Sequence, residues 1–475
     1  MSRSMRAAVL ALAVFAAGAA RAEPVKATIE SGAVAGQVES GADVFRGVPY
    51  AAAPVGPLRW RPPQPAAAWS GERPATSNGA ACLQPQVSFG GIKLAGDGAV
   101  SEDCLFLNVF APPGAKKAPV MVWIHGGANV AGTASSYDGS AFARDGVVLV
   151  ALNYRLGAFG FFAHPALTKA AAPGEAFGDY ALMDQIAALK WVRRNAAAFG
   201  GDPDNVTVFG ESAGAMNIVS LLGTPAAKGL FNRAIIESNI GWGTATPLLT
   251  AETRGAALAE KAGAPAKATP DQLRAIPADT LLAASGGQAG PIVDGRLIKL
   301  IANRAYADKT AIDVPIIIGS NSFEAALIVN RQPKPTPLQL QEFTDTLAGG
   351  PARWIAKQEA GGAPSWLYYF SYVREDLRTL MPGAAHASEI AYVFALPSAG
   401  PSPADKAMAE LMHGCWVAFA KTGKPTCPSG PAWPAYTPEG DKLMEFGAAS
   451  GVRQHFRKPE LDAAEAQYSN GGGPL

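Results

Sequence analysis

Five short apolar runs, each ended by glycine or by turn residues, constrain the fold of this chain more than any other feature. None of them alternates apolar with polar residues, so we expect strands that are buried on both faces of a parallel sheet. The runs are APVMVWIHGG (118–127), GVVLVALNYR (146–155), NVTVFGES (205–212), RAIIESN (233–239) and DVPIIIGSN (313–321). Two later segments, 366–373 and 441–447, are expected to extend the sheet.

Helical patterns lie between these runs. Segments 181–199, 212–223 and 407–423 carry apolar residues at helical spacing, and 250–312 is expected to be largely helical and to cap one end of the sheet. The Gly- and Pro-rich stretch 45–60 is expected to be a loop. The alternation of strands and helices predicts an α/β fold, with a mostly parallel central sheet covered by helices on both faces. In such a sheet the ligand binds beyond the carboxyl ends of the strands.

The first 22 residues have the pattern of a secretory signal peptide. Arginines precede a short apolar run, and an A-x-A pattern ends at Ala22, where we expect cleavage. The alternative is a membrane anchor, but no later segment reaches the roughly 20 apolar residues of a membrane span. The mature chain, 23–475, contains no obvious linker or repeat and is expected to be a single domain. It would be secreted or periplasmic.

Charge argues against two classes of partner. Removal of the signal peptide takes away three arginines and changes the formal net charge from +1 to −2. Since no basic stripe or acidic tail remains, we expect neither nucleic acid nor stable membrane insertion. The four cysteines do not have metal-ligand spacing; Cys415 and Cys427 could pair, and a buried free thiol at Cys415 is an equal alternative. Nothing in the sequence indicates an oligomeric state.

The run Gly-Glu-Ser-Ala-Gly (210–214) lies between a predicted strand and a predicted helix. G-x-S-x-G in this context forms a tight turn that exposes the serine hydroxyl, and small residues are needed two positions to either side. The helix that follows directs free N–H groups toward the site and favours negative charge there. We therefore expect Ser212 to be a nucleophile.

A nucleophilic serine needs a base, and the chain offers His125, His164, His386, His413 and His455. In this arrangement the acid and then the histidine follow the serine along the chain, which excludes the first two. His413 lies in an apolar helix and His455 in a charged segment, so His386 is the expected base. The acid should follow a strand, and Glu324 is favoured over its rival Asp294.

An oxyanion needs hydrogen-bond donors. The strand that ends at Ile124 leads into His-Gly-Gly-Ala (125–128), where small residues let the backbone approach a substrate. We expect these N–H groups, together with that of Ala213, to form an oxyanion hole.

The chain resembles the type-B carboxylesterases, a family that includes cholinesterases and bacterial para-nitrobenzyl esterases. The resemblance covers most of the mature chain and includes two signature-like runs, EDCLFLNVFAP (102–112) and FGGDPDNVTVFGESAG (199–214). It implies an α/β-hydrolase fold. It also implies a triad of Ser212, Glu324 and His386, and oxyanion donors at Gly127, Ala128 and Ala213.

The resemblance further implies supporting roles. Gly126 would shape the oxyanion loop, Glu211 would organise the site internally, and Ser238 would support the catalytic histidine. It implies a disulfide between Cys82 and Cys104, which encloses a 21-residue loop and would contribute about 3 kcal/mol. Two buried ion pairs are implied as well, Arg46 with Glu102 and Arg155 with Asp184.

The predicted function is hydrolysis of small-molecule carboxylic esters through an acyl-enzyme on Ser212. No metal or organic cofactor is expected. We expect activity to fall below about pH 6, because the histidine must be neutral to act as a base. The alternatives are a non-catalytic binding protein with this fold, and an amidase or lactonase that uses the same triad.

Overall fold

A thirteen-stranded mixed sheet runs through the molecule. The computed structural model describes residues 24–89, 92–243, 245–287, 289–396 and 400–468; the predicted signal peptide lies outside them. The strands, numbered in chain order, are β1 Val25–Ile29, β2 Gly32–Glu39, β3 Ala42–Pro49, β4 Glu72–Pro74, β5 Phe106–Ala111, β6 Ala118–Ile124, β7 Val148–Leu152, β8 Gly201–Glu211, β9 Arg233–Glu237, β10 Ile316–Asn321, β11 Ser365–Phe370, β12 Lys442–Phe446 and β13 Gly451–Gln454. Their spatial order is β1-β2-β3-β5-β7-β6-β8-β9-β10-β11-β12-β13, and β4 pairs with β2.

The centre of this sheet is parallel, as predicted from the apolar runs. Each neighbouring pair from β7 through β6, β8, β9, β10 and β11 to β12 is parallel. The antiparallel pairs lie at the two edges. One expectation is wrong: residues 45–49, expected to be loop, form the end of β3, which pairs with β5. Pairing with an inner strand overrides the weak local signal of Gly and Pro here.

Helices cover both faces. They are α1 Ser140–Arg144, α2 Gly157–Gly160, α3 Pro165–Ala170, α4 Tyr180–Asn195, α5 Ala213–Leu222, α6 Leu248–Lys261, α7 Pro270–Arg274, α8 Ala278–Ala284, α9 Ala302–Ala307, α10 Pro337–Thr344, α11 Gly350–Gln358, α12 Ile390–Val393, α13 Pro403–Thr422 and α14 Lys458–Gln467. Segment 250–312 contains all or most of four of them, but they cover only about half of its residues, so it is less helical than expected. Within the described ranges, no helix combines the length and apolarity needed to cross a bilayer.

Successive side chains of β6 pack into two different hydrophobic clusters, one on each face of the sheet. Val120 and Val122 pack in the cluster that contains α4 and α5, whereas Met121 and Trp123 pack in the cluster that contains α13. Successive side chains of a strand point to opposite faces, so a strand between two helical layers must be apolar throughout. This is the physical origin of the uninterrupted apolar runs.

Helix α13 begins earlier than the apolar pattern predicted. Ser402 accepts a hydrogen bond from the N–H of Asp405, the Asp405 carboxylate accepts one from the N–H of Ser402, and Pro403 occupies the first turn. This capping box satisfies backbone donors that the helix itself leaves free. The predicted end is confirmed, because Gly423 adopts φ 76°, a left-handed conformation that favours glycine.

Candidate active site

Ser212 lies between the end of β8 and the start of α5. Its backbone is strained, with φ 55° and ψ −122°, and its N–H donates to the carbonyl oxygen of Glu237 over 2.9 Å. A Cβ atom at Gly210 would lie 2.5 Å from the Ile124 carbonyl oxygen, and one at Gly214 would lie 2.0 Å from the same atom. Both contacts are far shorter than van der Waals distance, so the turn can form only with glycine at these positions.

The structure brings Ser212, His386 and Glu324 together. His386 Nε2 lies 2.9 Å from Ser212 Oγ, and His386 Nδ1 lies 2.5 Å from Glu324 Oε2. The other oxygen of Glu324 accepts a hydrogen bond of 2.7 Å from the Asn321 N–H. With Nδ1–H donating to the carboxylate, Nε2 is left to accept the serine proton. The arrangement therefore suits proton removal from the Ser212 hydroxyl.

Pairing between two loops holds the acid and the histidine in register. Phe323 N donates to Ala384 O over 2.8 Å, and Ala384 N donates to Ser322 Oγ over 2.8 Å. These bonds lie next to Glu324 on one loop and next to His386 on the other. The distance between Glu324 and His386 is thus set by the pairing of the loops that carry them.

The rival residues have other partners. His413 contacts the Val393 carbonyl oxygen and Asp145 through its two ring nitrogens, and His455 is half exposed. The carboxylate of Asp294 accepts hydrogen bonds from three backbone N–H groups and so shapes its own turn. Within the described part of the chain, none of these contacts leads to Ser212.

The loop at 126–129 approaches the serine closely. A Cβ at Gly126 would lie 2.8 Å from Glu211 Oε2 and 3.1 Å from Ser212 Cβ. Gly127 and Ala128 adopt φ of 100° and 54°. Among the described residues, neither of their N–H groups donates to another protein atom. Two backbone donors are therefore available beside Ser212.

Buried polar side chains fix this loop. Asn217 Nδ2 donates to Asn129 Oδ1 over 2.9 Å, and Gly157 N donates to Asn129 O over 2.7 Å. Tyr154 Oη donates to the His125 carbonyl oxygen over 2.7 Å. On the facing side, Ala213 is the first residue of α5, where backbone N–H groups have no partner within the helix.

Carboxylates surround His386. Its Nε2 lies 3.1 Å from Glu211 Oε1, while Glu389 is buried nearby and accepts a hydrogen bond of 3.3 Å from Ser238 Oγ. Burial lowers the pKa of His386, but the charges of Glu211, Glu324 and Glu389 outweigh that effect and raise it to about 10. The carboxylates therefore stabilise the imidazolium form.

Burial also changes the pKa of two carboxylic acids near His386. Desolvation raises the pKa of Glu211 to about 8 and that of Glu389 to about 7. Because Glu211 and His386 are in contact, their protons come off as a coupled pair. For a base at this position, the raised pKa moves the expected loss of activity on acidification upward from pH 6.

Two buried acids near the site, Glu389 and Glu237, were assigned no role from the sequence. Glu389 follows His386 by three residues, a spacing that was a usable signal, and it accepts the hydrogen bond of Ser238, so the support predicted for the histidine from Ser238 would act through this carboxylate. Glu237 accepts a hydrogen bond of 2.8 Å from Trp416 Nε1, and its own carbonyl oxygen binds the Ser212 N–H. Nothing local marks Glu237, which looks like the polar end of a strand.

One predicted ion pair is confirmed and one is wrong. Arg155 and Asp184 form two hydrogen bonds of 2.7 Å between buried side chains. Arg46, however, pairs with Glu39 on the adjacent strand β2, and Glu102 instead binds Arg59 through bonds of 2.6 and 2.5 Å. Arg46 pairs with Glu39 because β3, which carries Arg46, lies beside β2, which carries Glu39.

All four cysteines are paired. Cys82 and Cys104 form the predicted disulfide, and a second joins Cys415 to Cys427, which resolves the alternative left open at Cys415. Disulfides persist in oxidising compartments. Across the described ranges, no cluster of three or more His, Cys, Asp or Glu side chains could hold a metal ion.

This chain is similar to known proteins along most of its length. A family model described as the carboxylesterase family matches residues 23–342 and 334–464. The fumonisin B1 esterase of Sphingopyxis macrogoltabida is 35% identical over 482 residues, which cover 89% of this chain and 86% of that protein. The para-nitrobenzyl esterase of Bacillus subtilis is 36% identical over 467 residues, covering 87% and 92%.

Solved structures agree with this result. A PNB esterase structure superposes with a TM-score of 0.83 at 33% identity and covers 92% of this chain and 98% of its own. A carboxylesterase from Geobacillus stearothermophilus superposes with a TM-score of 0.80 at 34% identity, covering 92% and 99%.

Proposed function

Because this chain belongs to the carboxylesterase family and is a carboxylic ester hydrolase with an α/β-hydrolase fold, we propose that it cleaves its substrate through an acyl-enzyme on Ser212. His386 is the general base and Glu324 is the acid that orients it. The observation that carries the proposal is the relay of 2.9 and 2.5 Å contacts from Ser212 Oγ through His386 to Glu324.

The first step forms the acyl-enzyme. Ser212 Oγ attacks the ester carbonyl carbon while its proton passes to His386 Nε2, and the carbonyl electron pair moves onto the oxygen. The N–H groups of Gly127, Ala128 and Ala213 stabilise that oxyanion. The intermediate then collapses with loss of the alcohol, whose oxygen takes the proton from His386.

Water completes the cycle. His386 removes a proton from a water molecule, which attacks the acyl carbon, and the carboxylic acid leaves as Ser212 regains its proton. Glu324 and the other buried carboxylates stabilise the imidazolium that forms in each half of the reaction. Gly126 gives the oxyanion loop its close approach, and Ser238 holds Glu389 beside the histidine.

Ser212→Ala tests the nucleophile. We expect hydrolysis of a short-chain p-nitrophenyl ester to fall by about 10⁴-fold or more, as in triad knockouts. A fluorophosphonate probe should label the wild-type protein on Ser212 and leave the variant unlabelled. Ser220→Ala, on the same helix but bonded to the Met216 carbonyl oxygen, should retain activity. An active Ser212→Ala variant would contradict the assignment.

The same experiment separates the alternatives. A wild-type protein that takes no label would favour a non-catalytic binding role. Labelling accompanied by faster cleavage of anilides or lactones than of matched esters would favour an amidase or lactonase. The names of the relatives make p-nitrobenzyl esters a useful addition to the panel.

We also propose export, with cleavage after Ala22 and a final location in the periplasm or outside the cell. The disulfides Cys82–Cys104 and Cys415–Cys427 support an oxidising compartment. The charged, apolar and small-residue pattern of residues 1–22 supports the route.

A further inference from the structure

We propose that Tyr468, at the end of the C-terminal helix α14, positions the loop 238–243 and thereby determines which esters the site accepts. The inference rests on the proposed function, since it concerns a loop that begins beside Ser212. It assigns a specificity role to a residue that is remote from Ser212 in sequence.

The loop 238–243 begins beside the nucleophile. It follows Glu237, whose carbonyl oxygen binds the Ser212 N–H, and its first residue binds Glu389. It leaves the sheet at the carboxyl end of β9, the edge where ligands bind in α/β folds. Its far end packs against α9 and α5: a Cβ at Gly243 would lie 3.3 Å from Ala302 Cβ and 3.4 Å from Val219 Cγ1. The loop is therefore continuous with residues that contact Ser212 and Glu389, and a displacement of the loop reaches the site through them.

An aromatic stack holds the loop. Trp242 is only 3% exposed, and its ring lies parallel to that of Tyr468, with centroids 4.2 Å apart and planes inclined by 5°. Trp354 of α11 meets the Tyr468 ring edge-on at 5.7 Å. The Trp242 Nε1–H has no hydrogen-bond partner among the described residues. Because no directional bond fixes the indole, its position depends on these ring contacts.

Charged pairs anchor α14 to the elements behind the loop. Arg353 of α11 is 1% exposed and donates to Glu465 over 2.7 Å and also to Asp462. Arg457 binds Asp345 through bonds of 2.9 and 2.7 Å. The segment Asp345–Gly349 also contacts the loop directly, since the Gly241 N–H donates to the Leu347 carbonyl oxygen over 2.7 Å. Tyr468 thus projects from a helix that is itself firmly held.

Positioning and mere stabilisation predict different kinetics. If the stack only stabilised the fold, removing it would lower the activity of every ester by the same factor. If it positions the loop, small and large esters respond differently, because a shift of the site wall changes the fit of one more than that of the other.

The experiment measures kcat/KM of Tyr468→Ala, Tyr468→Leu and Tyr468→Phe on two ester series, one varied in acyl length and one in alcohol size. We expect the large-to-small ratio in at least one series to change by about tenfold in the Ala and Leu variants. The Phe variant, which keeps the stack, should retain the wild-type ratio, and so should Gln467→Ala at the exposed neighbouring position. Tyr468→Leu keeps most of the apolar volume and decides the matter if the Ala variant does not fold.

A double mutant tests the route through Trp242. If Tyr468 acts through that ring, adding Trp242→Leu to Tyr468→Leu should change the ratio by less than the product of the single effects. Fluorophosphonate labelling of the wild-type protein is measured in parallel. If the wild type takes no label, the proposed function fails; if it is labelled and both ratios stay constant in Tyr468→Leu, only the role of Tyr468 is overturned.

Discussion

Replacement of Glu211 by Gln should extend the activity toward lower pH. The Glu211 carboxylate lies 3.1 Å from His386 Nε2 and is the first of the charges that raise the pKa of that histidine to about 10, against the opposing effect of burial. Glutamine has nearly the same volume but no charge. Removing an opposite charge at this distance should lower the histidine pKa by about 1–3 units.

The direction in which the pH profile moves follows from the proposed role of His386 as the base. His386 is proposed to act in its neutral form, so activity is present above its pKa and is lost as the pH falls through it. Lowering that pKa moves the acidic limb of the profile downward. The wild-type limb belongs to the coupled Glu211–His386 pair, whereas the variant should show a limb due to the histidine with its remaining neighbours.

The assay is kcat/KM for a p-nitrophenyl ester between about pH 5 and pH 10, read at a wavelength where the product absorbs equally in both protonation states. Glu375→Gln, which removes an exposed carboxylate from the segment before His386, is the matched control and should leave the limb in place. A limb that stays fixed or moves upward in the Glu211→Gln variant would refute the argument that the Glu211 charge stabilises the imidazolium.

Two further substitutions test the scaffold around the site. Asp184→Asn leaves the buried Arg155 guanidinium without its charged partner and should lower the free energy of unfolding by about 3–5 kcal/mol, measured by urea denaturation; a loss below about 1 kcal/mol would contradict the assignment of a buried pair. Gly214→Ala places a Cβ 2.0 Å from Ile124 O, so the turn at Ser212 must move, and we expect kcat/KM to fall by about 10²-fold. Gly98→Ala, where a Cβ meets open space, is its control, and equal activities in the two variants would show that the steric argument fails.

Much of the fold could be predicted because its central strands have an unambiguous composition. A strand such as β6 is apolar on both faces because helices cover both, and the turn after β8 needs Gly210 and Gly214 because the backbone of β6 is so close. The edge strands gave weaker signals. Residues of β3 alternate less clearly and include Gly and Pro, so pairing with β5 was needed to define them.

In the candidate site, too, some features could be predicted from local sequence and others depend on contacts between distant segments. Sequence patterns were enough to predict the residue types and their order: a serine in a tight strand–helix turn, then a carboxylate after a strand, then a histidine in a small-residue loop. These signals are local, because turn geometry and strand ends depend on neighbouring residues. Which side chains share a buried environment, in contrast, depends on the folding of the whole chain. In the folded chain, Glu211 and Glu389 lie beside His386 and Glu102 binds Arg59 rather than Arg46. The ring of Tyr468 stacks on that of Trp242. Contacts between residues that are distant in sequence depend on how the layers pack, and no local pattern encodes them.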